Sequence, residues 1–133
     1  PLAQPEFTLA LLQKCRQNGI NTVIETCLFT YIEEILKSCD LIFADFKLYD
    51  DVLHKKYTGV SNRGIIGNFR RLDSLGVRYI VRTPVIPGVT DLEDVKAFVK
   101  TLHNADAHEL LPYHPLGLAK SKALGGIQQE RYG

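Results

Sequence analysis

The apolar and polar positions of this chain switch repeatedly between helical spacing and short continuous or alternating runs, and those switches divide it into elements. Leu41-Ile42-Phe43-Ala44 is an almost unbroken apolar run that ends in Asp45-Phe46-Lys47. That is the pattern of a parallel-sheet strand covered on both faces. Thr22–Thr26, Val77–Thr83 and Glu109-Leu110-Leu111 give further strands. Helical faces lie between them. Phe7, Ala10, Leu11, Leu12 and Cys15 form one, entered through Pro5 and stopped at Asn18-Gly19. Ile32, Ile35 and Leu36 form a second within Tyr31–Ser38, and Asp50–Thr58 is a short polar helix. Ser61-Asn62 caps a helix reaching about Leu75, with Ile65, Ile66, Phe69, Leu72 and Leu75 as its stripe. Thr90-Asp91 opens the next, with Leu92, Val95, Phe98, Val99 and Leu102 at core spacing. Pro84 to Gly88 is a rigid loop. From Pro112 to Gly133, Pro, Gly, Ser and Lys dominate, which predicts an irregular loop over Tyr113–Gly126 and then a tail.

Strands alternating with helices mean βα units, a parallel sheet and right-handed crossovers. The order is α-β-α-β-α-α-β-α-β. It begins with a helix that no strand precedes and ends on a strand without a clear covering helix. A closed eight-unit barrel takes roughly 250 residues, against 133 here. The expectation is an α/β piece of a barrel or half-barrel, one domain over 1–133, with a sheet edge for something else to cover.

Side chains alternate along a strand, so Asp45 and Lys47 share a face. On that segment alone two readings stay open, a solvated strand end or a ligand site. The other strand ends shift the balance. They are Glu25-Thr26-Cys27, Arg82-Thr83-Pro84 and Pro112-Tyr113-His114-Pro115. In a parallel sheet these converge on one rim, where such folds bind ligands. Glu25 and Asp45 suit hydroxyls, an ammonium group or a cation, while Lys47 and Arg82 suit a carboxylate or phosphate. His114 donates or accepts near neutral pH. A zwitterionic, nucleoside-like ligand satisfies the whole set.

Composition narrows the class. Hydrophobic residues make 45% and charged residues 23% of the chain, ordinary for a globular protein. A net charge of +1 supplies no basic field for nucleic acid or an anionic membrane. No apolar run approaches 18 residues and no signal-peptide pattern is present, so the expected location is the cytoplasm. Cys15, Cys27 and Cys39 match no zinc or iron–sulfur spacing, and their odd number suggests no disulfide framework. Cys15 and Cys39 read as plain buried or half-buried thiols.

Pro1-Leu2-Ala3-Gln4-Pro5-Glu6-Phe7, Glu25-Thr26-Cys27, Asp45-Phe46-Lys47, Tyr57-Thr58-Gly59-Val60-Ser61-Asn62, Arg82 to Gly88 and Leu110 to His114 together resemble the later part of radical S-adenosylmethionine activating enzymes of glycyl radical enzymes, of the pyruvate formate-lyase activator type. The resemblance runs to about Lys122. It implies a partial (β/α)6 barrel of the radical SAM type with its first βα portion missing. It further implies S-adenosylmethionine and a [4Fe–4S] cluster as cofactors, a pyruvate formate-lyase-like glycyl radical enzyme as protein substrate, and an electron donor such as flavodoxin. Position by position, Asp45, Lys47, Arg82 and His114 match residues that contact S-adenosylmethionine. Glu25, Thr26, Asp45 and the backbone carbonyl of Phe43 match a monovalent-cation site.

Departures from the family pattern carry expectations too. The CxxxCxxC cluster loop and the Gly-Gly-Glu before Pro-Leu are absent, so the cluster ligands lie outside this sequence and the chain by itself is predicted inactive. Glu25 replaces Asp. Cys27-Leu28 replaces Asn-Gly in a turn, and Leu does not favour positive φ. Two rival functions remain at this point: an aldolase or lyase barrel using Lys47 as Schiff-base nucleophile, and a non-catalytic binding domain.

Overall fold

Four strands and six helices follow one another in a computed structural model that describes residues 1–114 and 116–125. In order they are α1 (Pro5–Gln17), β1 (Val23–Thr26), α2 (Glu33–Ser38), β2 (Leu41–Asp45), α3 (Asp51–Thr58), α4 (Arg63–Asp73), β3 (Tyr79–Val85), α5 (Leu92–Val99), β4 (Ala107–Pro112) and α6 (Leu116–Ala123). The strands form one sheet in the order β1-β2-β3-β4, and every pairing is parallel.

That order explains which face is buried. Crossovers between parallel strands are right-handed, so a sheet that always adds its next strand on the same side carries its helices on one face. Ile42, Ala44, Phe46 and Leu48 point to that face and are buried, as are Tyr79, Val81 and Thr83 of β3. They meet Ile35, Leu36, Ile65, Phe69, Leu72, Val95 and Phe98 from the helices in one core. Phe46 packs edge-on to Phe69 with ring centres 5.1 Å apart and tilts against Phe98 at 4.6 Å. Each such side chain contributes about 1.5–3 kcal/mol by leaving water. The opposite face is open. Leu41, Phe43 and Asp45 are only half-buried, so the two-sided cover expected for β2 is corrected to one-sided cover.

Four further differences stand out. β3 runs through Pro84 to Val85, where a loop was expected. Pro84 turns its missing N–H away from β4, because its carbonyl accepts the Thr90 hydroxyl at 2.9 Å while Val85 offers its own to the Tyr113 N–H. The missing N–H falls on the β2 side, where the Phe46 carbonyl accepts the Thr83 hydroxyl at 2.9 Å instead. The expected irregular loop contains α6, whose Leu, Ala and Lys residues are strong helix formers, closed by Gly125 at φ 73°. Asn62 does not cap α4; its amide donates to the carbonyls of Leu48 (3.0 Å) and Tyr49 (2.6 Å). In α1 only Thr8 and Leu12 are buried, and Phe7 is 65% exposed. Phe7, Leu11 and Val23 instead line an open groove beside β1.

Two carboxylates fasten the loops above the sheet. Asp91 accepts the N–H groups of Tyr49 (3.0 Å) and Asp50 (2.6 Å) just beyond β2. Asp51 accepts the Ser61 hydroxyl at 2.6 Å, the Asn62 N–H at 3.1 Å and the Lys55 ammonium at 2.9 Å. These bonds, the Ser61 hydroxyl first and then Lys55, hold the Asp51 carboxyl well below the usual carboxylate range.

Candidate active site

The register of the sheet arranges the open face in rows. Glu25 lies across from Phe43, and Phe43 from Ile80. One step nearer the strand ends, Asp45 lies across from Arg82, and Arg82 from Glu109. Successive members of a strand's open face are two residues apart, so Lys47 and Pro84 come in the next row.

Arg82 draws three strands together. Its guanidinium meets Glu25 as a fork, Nη1 to Oε1 at 3.1 Å and Nη2 to Oε2 at 3.1 Å. Nε and Nη2 both reach Asp45 Oδ1 at 3.1 Å. To span β2 the side chain lies over the Phe43 ring, 4.6 Å from its centre, which adds a cation–π attraction. The Arg82 side chain is 16% exposed and that of Glu25 64%, so the cluster is open to solvent on the β1 side. The hydrogen bond and charge of Arg82 lower the Glu25 carboxyl from its ordinary value. Arg82 is raised in turn, first by the bond to Glu25. Two carboxylates and a fork-shaped cation on one face suit a ligand that bears both an anionic and a cationic group. The fork that Arg82 offers Glu25 has the geometry to hold any carboxylate, and acids freed of Arg82 would be left to face a cation.

Thr26 alternates away from Glu25, and its hydroxyl accepts the Leu28 N–H at 3.0 Å. Leu28 has φ 56°, so the turn adopts the left-handed geometry that a leucine was expected to disfavour. Such a conformation costs about 1–2 kcal/mol for an L residue. Complete burial of the side chain and a bond from Asn68 to the Leu28 carbonyl (2.8 Å) hold it there.

Lys47 is half-buried and lines a cavity of about 240 Å³ with Leu48, Tyr57, Thr58, Pro84, Ile86, Val89 and Thr90. Among the described residues it makes no ion pair with the Glu25–Arg82–Asp45 cluster. His114 is exposed beyond the end of β4, and no described contact joins it to the cluster. The site therefore assembles three of the expected residues and leaves Lys47 and His114 at its margin.

Among the described residues no group of three or more His, Cys, Asp or Glu side chains could hold a metal ion. All three cysteines are free thiols, and burial pushes that of Cys39 up to about 11. These donors do not fit an iron–sulfur cluster. No helix among the described residues is long and apolar enough to cross a membrane.

No protein-family model matches the chain. Comparison with solved structures does find a relative: the chain superposes with a TM-score of 0.78 on a domain of pyruvate-formate lyase-activating enzyme from Bacteroides vulgatus. The two are 34% identical, over 86% of this chain and 76% of that one. The chain belongs to the family of glycyl radical enzyme activating enzymes. Other members of that family are similar. An isethionate sulfite-lyase activating enzyme of Nitratidesulfovibrio vulgaris is 42% identical over 90% of this chain and 41% of its own length. A pyruvate formate-lyase-activating enzyme of Clostridium pasteurianum is 36% identical over 92% of this chain and 54% of its own. The chain thus spans about half the length of these activating enzymes. Their identity favours the activating-enzyme reading over Lys47 as a Schiff-base nucleophile.

Within this activating-enzyme domain, three contributors escaped sequence reasoning. The Phe43 ring was findable, since it lies two residues before Asp45 and so shares its face. Glu109 was not, because only the β3–β4 register sets it beside Arg82. Asn68 gave no signal, its partner being 40 positions away.

Proposed function

We propose that the intact protein activates a pyruvate formate-lyase-like glycyl radical enzyme by abstracting hydrogen from one of its glycines, with S-adenosylmethionine and a [4Fe–4S] cluster. The single observation that carries this is the Glu25–Arg82–Asp45 bridge on the open face of a chain from this family. S-adenosylmethionine, bound with the cluster, supplies the hydrogen-abstracting chemistry. The residues of this chain bind and orient it. Arg82 takes the ligand's carboxylate as a fork. Glu25 and Asp45 would face its cationic side or a monovalent cation, with the backbone carbonyls of Phe43 and Thr26 as further oxygen ligands, since the Thr26 side chain turns to the opposite face. Lys47 and His114, at the margin of the rim, would supply further contacts to the ligand. Cluster ligands come from outside this sequence, so the chain alone is inactive. The reductant is a small electron-transfer protein such as flavodoxin, and the setting is the cytoplasm.

The test is titration of S-adenosylmethionine into the full-length protein, followed by electron paramagnetic resonance of the partner's glycyl radical. Binding that weakens in Arg82→Ala and Asp45→Ala, together with a radical signal that needs both cofactor and cluster, supports the proposal. Wild-type-like binding in both variants, or a full-length protein without iron–sulfur absorbance, rejects it.

A further inference from the structure

Glu25 and Thr26 reach the rim from the end of β1, and the turn just beyond them decides how firmly they are presented. The chain leaves β1 through Cys27 and Leu28, and Leu28 is the one non-glycine residue with positive φ among the described residues. Its left-handed backbone is held at three points. The N–H donates back to Thr26 Oγ1 at 3.0 Å. The side chain is fully buried in the core. The carbonyl accepts from Asn68 Nδ2 at 2.8 Å. Of these, only the Asn68 bond comes from outside both the turn and the apolar core.

Asn68 is well placed to act as a brace. It sits in the middle of α4, a helix fixed by the buried side chains of Ile65, Phe69 and Leu72. The helix supplies a rigid origin, and the amide carries that rigidity across to the end of β1. A glycine at position 28 would take the same backbone conformation unaided; a leucine needs to be held in it. Without the Asn68 donor the carbonyl of a half-buried turn also loses its partner, a further reason for the turn to rearrange.

We infer that Asn68 is a positioning residue for the ligand site: it braces the left-handed turn at Leu28 and so fixes how Glu25 and Thr26 are presented to the ligand. The inference rests on the reading of this rim as the S-adenosylmethionine site, and its test keeps the two separable.

The full-length protein is compared in wild-type, Asn68→Ala, Leu28→Gly and Asn68→Ala/Leu28→Gly forms. Two quantities are read, the dissociation constant for S-adenosylmethionine and the hydrogen exchange of the Leu28 amide. Asn68→Ala is expected to weaken binding about tenfold, or about 1.4 kcal/mol, and to speed exchange at Leu28. Adding Leu28→Gly is expected to restore binding close to the wild-type value, while the thermal unfolding midpoint falls further because the core has lost a leucine. Affinity and stability then move in opposite directions, which a merely structural role for Asn68 does not produce. Unchanged binding in Asn68→Ala, or a double variant that binds no better than Asn68→Ala, overturns the positioning role. Unchanged exchange at Leu28 overturns the brace itself. If wild-type protein does not bind S-adenosylmethionine, the functional reading falls, and the exchange measurement still decides whether Asn68 braces the turn.

Discussion

The two faces of the sheet are made from the same strands and differ in almost everything else. On the helix-covered face Ile42, Ala44, Tyr79, Val81 and Thr83 are sealed from water. On the open face Phe43, Asp45 and Arg82 stand half-buried, with Glu25 exposed beside them. Side chains one residue apart on β2 therefore serve different ends: Ala44 packs, Asp45 pairs with Arg82. Because the strands are wound in one direction, cohesion and chemistry are separated by a single peptide unit. Substitutions should divide accordingly.

The largest effect is expected on the covered face. Phe69→Ala removes a fully buried ring that touches Phe46 and Phe98, and should lower unfolding free energy by about 3–5 kcal/mol. Denaturant titration reads this directly, and a loss under about 1 kcal/mol would erase the distinction between the faces. On the open face, Arg82→Ala should weaken S-adenosylmethionine binding by about 1.5–3 kcal/mol, the worth of charge-assisted bonds. Stability should change by less than about 1 kcal/mol, since the Glu25 partner is mostly solvated. Arg82→Lys should not restore binding, because an ammonium cannot reproduce the fork; calorimetry of both variants sharpens the point.

A smaller effect lies in the loops above the sheet. The folded-state carboxyl of Asp51 is lowered, so the stability it confers is present above the ordinary carboxylate range and fades as pH falls through and below it. Thermal midpoints tracked into acid should drop less steeply for Asp51→Asn, which starts from a lower midpoint. A parallel decline in both proteins would show that the lowered carboxyl contributes nothing. The smallest effect concerns His108, on the covered side of β4. The Thr83 hydroxyl donates to the Phe46 carbonyl at 2.9 Å, so it accepts from His108 Nε2, also at 2.9 Å. Burial, then the charge of Lys96, lowers the imidazole. The unfolded chain takes up the proton first as pH falls through about 6.5, so stability should decline there, and His108→Gln should flatten that slope. Equal slopes in the two proteins would dismiss the effect.

How much of this could be read in advance varied by feature, for physical reasons. The order of strands and helices was legible because the two periods differ and because glycine and proline mark the breaks. One-sided cover was not. Leu41 and Phe43 are apolar whether or not anything lies over them, and only the direction of winding decides that. Phe7 and Leu11 misled for the same reason, while Thr8, polar by type, is buried with its hydroxyl on the Pro1 carbonyl at 2.7 Å. In the site, Glu25, Asp45 and Arg82 were visible as charges at strand ends. Their union depends on register and on an arginine long enough to cross Phe43, neither of which periodicity reports. The turn at Leu28 was flagged from its residue types, but what holds it lies on a helix far along the chain.

The strand order also bears on how the chain comes to be folded. Val23 pairs with Leu41, Ile42 with Tyr79 and Ile80 with Ala107, so each strand needs only the one made just before it. Every closure spans a single crossover of one helix, or of two between β2 and β3, and none waits for a distant end of the sequence; because closure entropy grows only slowly with length, its cost changes little from one addition to the next. A ribosome releasing the chain from its amino end would hand each new strand an edge already in place, and the sheet could grow vectorially in the order of its synthesis.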